Sequence, residues 1–353
     1  MPKYAFCALF LLTTLAAAQQ SVAPRAEKKA PDALRAEKKT KTLRQIAILD
    51  LPGKPGFDSV VFANGHLVIA HKGAHTVDIF EPTKRRLVAQ VNSVADPRGI
   101  VADEQNGLVY IAAAGSNSIV VISAKDWQVQ GVIGLEHAPE SLTLLPQTRE
   151  LAVTLPLARS VAFVPVNALG QQKAERETVN VGGRPQKLAW DAQKQLVYAT
   201  VEETAEIVSV SPKGEVAGRM KLAASQPTGL VFEPSSRQLF VAVRYAVLQV
   251  EADGGKELSR VPAPPGTTTL WLEPQSNTLI AAAADGYVQL INVGAARLTA
   301  QEEIVSAVRG QGVAYDSANR LLFLPGAREG KSKLVIMKQF GAGPQPEAVS
   351  AKK

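Results

Sequence analysis

The chain carries four histidines, and three of them, His71, His75 and His137, lie in polar stretches between apolar runs. His71 and His75 flank Lys72-Gly73-Ala74. Joined by His137, they would offer three imidazoles, a donor set suited to zinc or copper. His137 also lies close to Glu140, so an imidazole and a carboxyl are available as acid and base for a lactonase- or lyase-type reaction. Against a metal stands Lys72 between two of the histidines, and solvated loop histidines are the commoner outcome. Five arginines in similar stretches, Arg98, Arg159, Arg184, Arg244 and Arg328, are a different resource, because guanidinium forks fit carboxylates and phosphates. With Glu140, Gln186, Gln311 and Tyr245 they form a candidate site for an anionic ligand. The plain alternative is that each arginine pairs with a nearby acid such as Glu140, Glu202 or Asp285. The sequence contains no His-Glu-x-x-His, no Gly-x-Ser-x-Gly, no phosphate-binding glycine loop and no haem-attachment motif,. No cofactor is expected.

Residues so far apart can act together only if their loops are gathered on one face. The stretch from Pro97 to Ile133 shows how. It holds four apolar runs, Ile100–Ala102, Leu108–Ala112, Ile119–Ile122 and Val129–Ile133, separated by Asn106-Gly107, Gly115-Ser116-Asn117 and a further polar turn. Asn-Gly between apolar runs is a strong hairpin signal. Four strands in about forty residues make one blade of a β-propeller. The pattern recurs. Taking one buried position in each first strand gives Val60, Ile100, Leu142, Leu188, Leu230, Leu270 and Val313, at intervals of 40, 42, 46, 42, 40 and 43 residues. Small residues such as Ala70, Ala112, Ala199 and Ala242 recur in the second strands, as needed where blades converge on an axis. Seven first strands are present, but the last unit runs into Gly341-Ala-Gly-Pro-Gln-Pro and has no fourth,. A spare strand, residues 44–51, precedes the first unit. It is expected to pair with 334–337 and close the ring, since an open ring would leave sheet edges bare. The expected fold is all-β, a seven-bladed propeller spanning residues 44–340.

The segments Val109-Tyr-Ile-Ala-Ala-Ala-Gly-Ser-Asn-Ser-Ile-Val-Val-Ile122 and Val197-Tyr-Ala-Thr-Val201 resemble the YVTN family of β-propeller repeats. The Asp/Glu-Pro turns and the Tyr-X-Ala/Thr strands carry the likeness. Repeats three and five depart from it, with Thr154-Leu-Pro-Leu and Val243-Arg-Tyr in place of the usual Gly/Asn turn. The resemblance implies an exported or cell-surface repeat protein and no particular activity. In such a ring the between-blade loops (Arg98, His137, Glu140, Arg184, Gln186, Thr228, Gln311) share a face with the loops joining second and third strands (His71, His75, Arg159, Glu202, Arg244, Tyr245, Asp285, Arg328). That face surrounds the channel mouth. The leading expectation is a binding or scaffold module recognising an anionic small molecule, glycan or protein segment there. The alternative is an enzyme using the loop histidines.

The ends of the chain read differently. Lys3, the apolar run 5–15 and Ala16-Ala17-Ala18 form a signal-peptide pattern with cleavage after Ala18; a retained anchor is the other reading. A periplasmic or secreted protein is expected. The single cysteine, Cys7, lies inside that signal, so the mature protein has no disulfide. Residues 19–43 hold seven basic side chains against Glu27, Asp32 and Glu37 and almost no large apolar residue, the composition of a disordered linker. Weak contact with an anionic surface is one use for it; 341–353 reads as a second tail. The formal charge of +7 thus belongs mainly to the termini, and the near-neutral body is not expected to bind nucleic acid. A monomer is expected.

Overall fold

The computed structural model describes residues 42–341. The signal, most of the linker and the C-terminal tail expected from the sequence lie outside the described residues. Seven four-stranded antiparallel sheets are arranged as a ring, the seven-bladed propeller that the forty-residue period requires. In the first blade the strands are Val60–Ala63, His66–His71, Thr76–Glu81 and Arg86–Val91, from the channel outward. In the second they are Pro97–Asp103, Leu108–Ala113, Ser118–Ser123 and Val129–Gly134. The innermost strands of blades 3 to 7 are Leu142–Leu145, Pro185–Asp191, Leu230–Glu233, Thr267–Glu273 and Ala314–Asp316. The last of these begins one residue after the aligned Val313.

The middle strands read as continuous apolar runs because both of their faces are buried. In Leu108–Ala113, Val109 and Ile111 pack toward blade 1, whereas Tyr110 and Ala112 pack toward blade 3. The same alternation repeats round the ring. Among the described residues it yields one apolar cluster at every junction between neighbouring blades, including the junction of blade 7 with blade 1. Ala70, Ala112, Ala199 and Ala242 are fully buried there. Outer strands such as Val129–Gly134 and Glu215–Lys221 are largely exposed, which accounts for their weaker signal.

Blade 7 is built from both ends of the described chain. Leu321–Arg328 pairs with Lys331–Gln339, and Leu43–Asp50 pairs outside the latter, with Ala47 opposite Ile336 and Ile48 opposite Val335. The closing strand starts at Leu43, which is buried, one residue earlier than the sequence suggests. Its partner is longer than the apolar run 334–337, because Lys331–Lys333 and Lys338–Gln339 continue the ladder with polar side chains.

A candidate binding site at the channel mouth

Each second strand ends on the same face as the between-blade loops, and backbone hydrogen bonds join the two sets. Gly115 N–H donates to Ala95 O at 3.0 Å, Val181 N–H to Arg159 O at 2.9 Å and Arg309 N–H to Ala327 O at 2.9 Å. The sequence-predicted loop residues therefore do share a face. What they do there differs from one to the next.

At the centre of that face the first strands enclose a chamber of about 270 Å³. In six blades the residue two positions before the aligned core residue lines it: Asp58, Glu140, Gln186, Thr228, Thr268 and Gln311. In blade 2 the same position is Arg98, which reaches Glu140 and Asp58 from outside the lining. β-bulges interrupt the first strands at this level in blades 2, 4 and 6, and a bulge re-aims side chains that regular alternation would send elsewhere. In blade 4 the bulge also brings Lys187 into the chamber. Its N–H donates to the Thr200 hydroxyl at 3.1 Å, while Thr154 accepts from the N–H of Ser141 at 2.8 Å, beside Glu140. Gly99 N–H donates to Glu140 O at 2.8 Å, and a Cβ on Gly99 would meet Glu140 O and Ser141 Cα at 2.8 Å. Only glycine permits this approach of blades 2 and 3.

Four charges face one another here. Arg98 Nη1 lies 3.3 Å from Glu140 Oε2 and 3.9 Å from Asp58 Oδ2, and Lys187 Nζ lies 4.0 Å from Asp58 Oδ1. Arg98 Nη2 also donates to Asp96 at 2.8 Å. Burial, then the Asp58 charge, push the Glu140 carboxyl above the usual carboxylate range; Arg98, Lys187 and Lys72 oppose them without cancelling them,. On the neutral side, Thr268 Oγ1 and Trp271 Nε1 are buried with no hydrogen-bond partner among the described residues.

The other arginines are further out and do not form one bare funnel. Arg159 lies 3.4 Å from Glu203, and Arg184 lies 3.1 Å from Glu203 and 3.6 Å from Glu202. Gln186 Nε2 donates to Glu202 at 3.0 Å. Arg244 stacks over its neighbour Tyr245, 5.2 Å from the ring centre. Arg328 lies 3.6 Å from Glu329 on the hairpin of blade 7. There a groove of about 750 Å³ runs between blades 6 and 7, past Tyr287, Val305, Arg309 and Arg328. A second cavity of about 300 Å³ shares Arg309 and Ala327 with it and shares Gln311 with the chamber. Arg309, absent from the sequence reading, is exposed, and no carboxylate among the described residues is within ion-pair distance of it.

The three histidines do not assemble. His71 is fully buried, with Nδ1 2.7 Å from Asp78 Oδ2 and Nε2 2.8 Å from Lys54 O. Both ring nitrogens are taken, so His71 is not a metal donor. His75 accepts the Asp96 N–H at 3.2 Å, and His137 is exposed. Among the described residues no group of three or more His, Cys, Asp or Glu is placed to hold a metal. Ser332 Oγ lies 3.3 Å from His71 Nε2, which gives the order serine, histidine, aspartate. The serine is 1% exposed and donates its hydroxyl hydrogen to Gly53 O at 2.9 Å, so no substrate can reach it. Thr76 and Gln90 donate to the other Asp78 oxygen at 2.8 and 2.9 Å, and Phe57 stacks on the imidazole at 4.2 Å. This knot pins the loop between the closing strand and blade 1.

No family model matches the chain, and no curated protein matches it. Among solved structures it is similar to a chain in the crystal structure of a mitotic checkpoint complex, with 14% identity and a TM-score of 0.71, over 94% of this chain and 100% of that one. At that identity the likeness is one of fold. That 1697 solved chains match marks a widely reused architecture, so function has to be argued from the site.

Proposed function

We propose that this protein is a binding propeller that docks an extended acidic segment of a partner protein in the groove between blades 6 and 7. The observation that carries the reading is Arg309: an exposed guanidinium shared by two cavities that lead from the rim to the channel, with no carboxylate among the described residues within ion-pair distance, although Asp285 and Glu329 line the same groove. Val305, 62% exposed, and Tyr287 stand beside it, so the groove offers apolar area, an aromatic ring and a fork for a carboxylate. Arginine and tyrosine are residue types that dominate binding energy at interfaces. An extended segment suits a groove that continues toward the chamber. The structurally similar chain comes from a complex, in keeping with a fold that works by docking.

A random twelve-residue peptide library displayed against the full chain tests the reading. Selected peptides are expected to be rich in Asp and Glu with an apolar residue, and to bind R309E at least tenfold more weakly than the unaltered protein. Absence of enrichment, or equal binding to a folded R309E, overturns it.

Export and membership of the YVTN repeat class belong to the same proposal. They rest on residues 3–18 and on the Tyr-X-Ala/Thr strands at Tyr110 and Tyr198. N-terminal sequencing of protein recovered from cells is expected to begin at Gln19.

A further inference from the structure

We propose that the chamber at the head of the channel binds a short zwitterion, a free amino acid or dipeptide, with its ammonium toward Asp58 and Glu140 and its carboxylate toward Arg98 and Lys187. Blades 1 to 4 bring Asp58, Arg98, Glu140 and Lys187 together at the chamber, negative, positive, negative, positive; Asp58, Glu140 and Lys187 line it and Arg98 lies against both carboxylates. A ligand of one sign is drawn to one pair and repelled by the other. A molecule bearing both signs complements the two pairs and leaves the net charge of the chamber unchanged.

The spacing of these charges points the same way. Buried carboxylates elsewhere close their ion pairs tightly, Asp103 with Arg149 at 2.7 Å and Asp191 with Arg237 at 2.8 Å, whereas longer contacts such as Arg159 to Glu203 at 3.4 Å involve exposed arginines. Across the chamber the contacts are 3.3, 3.9 and 4.0 Å, mostly beyond hydrogen-bond reach. The backbone holds the groups apart, since Glu140 and Lys187 are fixed through the Gly99 and Thr200 hydrogen bonds described above. Each group thus keeps hydrogen-bonding capacity for something placed between them. Blades 5 to 7 add neutral partners. Thr268 and Trp271 line the same chamber, and the Thr268 hydroxyl and Trp271 indole N–H, buried without partners among the described residues, leave polar capacity in its wall,. Glu140, short of compensating positive charge, is where an ammonium gains most,.

The site is separate from the groove at Arg309 and does not rest on the docking of a partner. Calorimetric titration of the full chain with alanyl-alanine at neutral pH and low salt tests it, with N-acetyl-alanine and alanine amide as single-charge counterparts. The expected result is saturable binding of the dipeptide, at least tenfold weaker binding of each counterpart, and at least tenfold weaker dipeptide binding to E140Q. K187M, which removes the charge while nearly keeping the reach of the side chain, is expected to show the same loss should E140Q fail to fold. No saturable binding of alanyl-alanine, equal binding of N-acetyl-alanine, or dipeptide affinity unchanged in a folded variant overturns the proposal.

Discussion

Glu140 shows how a single side chain can be expensive to the fold and useful to a site. Its carboxyl is harder to ionise in the folded chain than in the unfolded one, through burial and then the Asp58 charge. A carboxyl raised in the folded state favours that state while protonated and loses the advantage as pH rises through the raised value. E140Q is therefore expected to melt slightly above the unaltered protein at pH 7. The gap should narrow as pH falls toward the ordinary value of 4.5, measured by calorimetric melting at several pH values. His71 works in the opposite sense. Removing it leaves one oxygen of the fully buried Asp78 without its partner, and H71A is expected to cost about 1–3 kcal/mol for that unsatisfied atom, seen as a lowered denaturant midpoint. Much of the chamber was legible: Glu140, Gln186, Thr228 and Gln311, with Arg98 beside them, all occupy the column two residues before the repeat's core position. Asp58 and Thr268 stand in that same column and could have been read from it. Lys187 could not, because a bulge, invisible in residue order, aims it inward. Nor could the inward turn of His71, which depends on Lys54 and Ser332 meeting it from distant parts of the chain.

The blades themselves were legible because each middle strand buries two faces, so a run of apolar residues at a forty-residue period has few other meanings. Less legible were the ties between blades on the face opposite the channel mouth. Asp103 ends the first strand of blade 2, accepts from the Asn106 N–H at 3.3 Å and its side chain at 3.0 Å, and pairs with Arg149 of blade 3 at 2.7 Å. Burial pushes its carboxyl up, but the Asn106 and Arg149 hydrogen bonds outweigh burial and hold it below the ordinary value. A depressed carboxyl adds stability above its unfolded value and loses it as pH falls through the folded one. D103N is expected to cost about 1–3 kcal/mol at pH 7. The difference should vanish in acid, below the ordinary 3.8, as followed by urea titration at each pH. Asp191 and Arg237 repeat the arrangement between blades 4 and 5, at 2.8 Å. The closing strand is an element of another kind, exchanging ladder hydrogen bonds worth roughly 2–7 kcal/mol net. Deleting residues 43–50 is expected to lower the melting temperature sharply, and a synthetic peptide of that sequence added in trans to restore it, because the vacated edge of Lys331–Gln339 can accept a strand.

At the scale of the whole molecule, the ring is completed by residues about 290 positions apart, Leu43 meeting Gln339 and Asp50 meeting Lys333. Closing so long a loop costs roughly 5 kcal/mol of chain entropy, so blade 7 is expected to complete itself last. A circular permutant that joins Gln339 to Leu43 through Asn-Gly and opens the chain near Pro52 converts this distant pairing into a local hairpin. It is expected to refold faster, by stopped-flow fluorescence. It should also unfold faster, since no strand then holds blade 7 to blade 1 across the new ends. The antiparallel closure has a mechanical side as well. Thr42 and Phe340 lie side by side, with Phe340 N–H donating to Thr42 O at 2.7 Å. Tension applied through the two flanking segments would open the outer ladder one rung at a time from that point, like a zip, instead of loading all its rungs together in shear. The ring would thus yield to a gentle pull, with Leu43–Asp50 peeling away first while the other six blades stay shut.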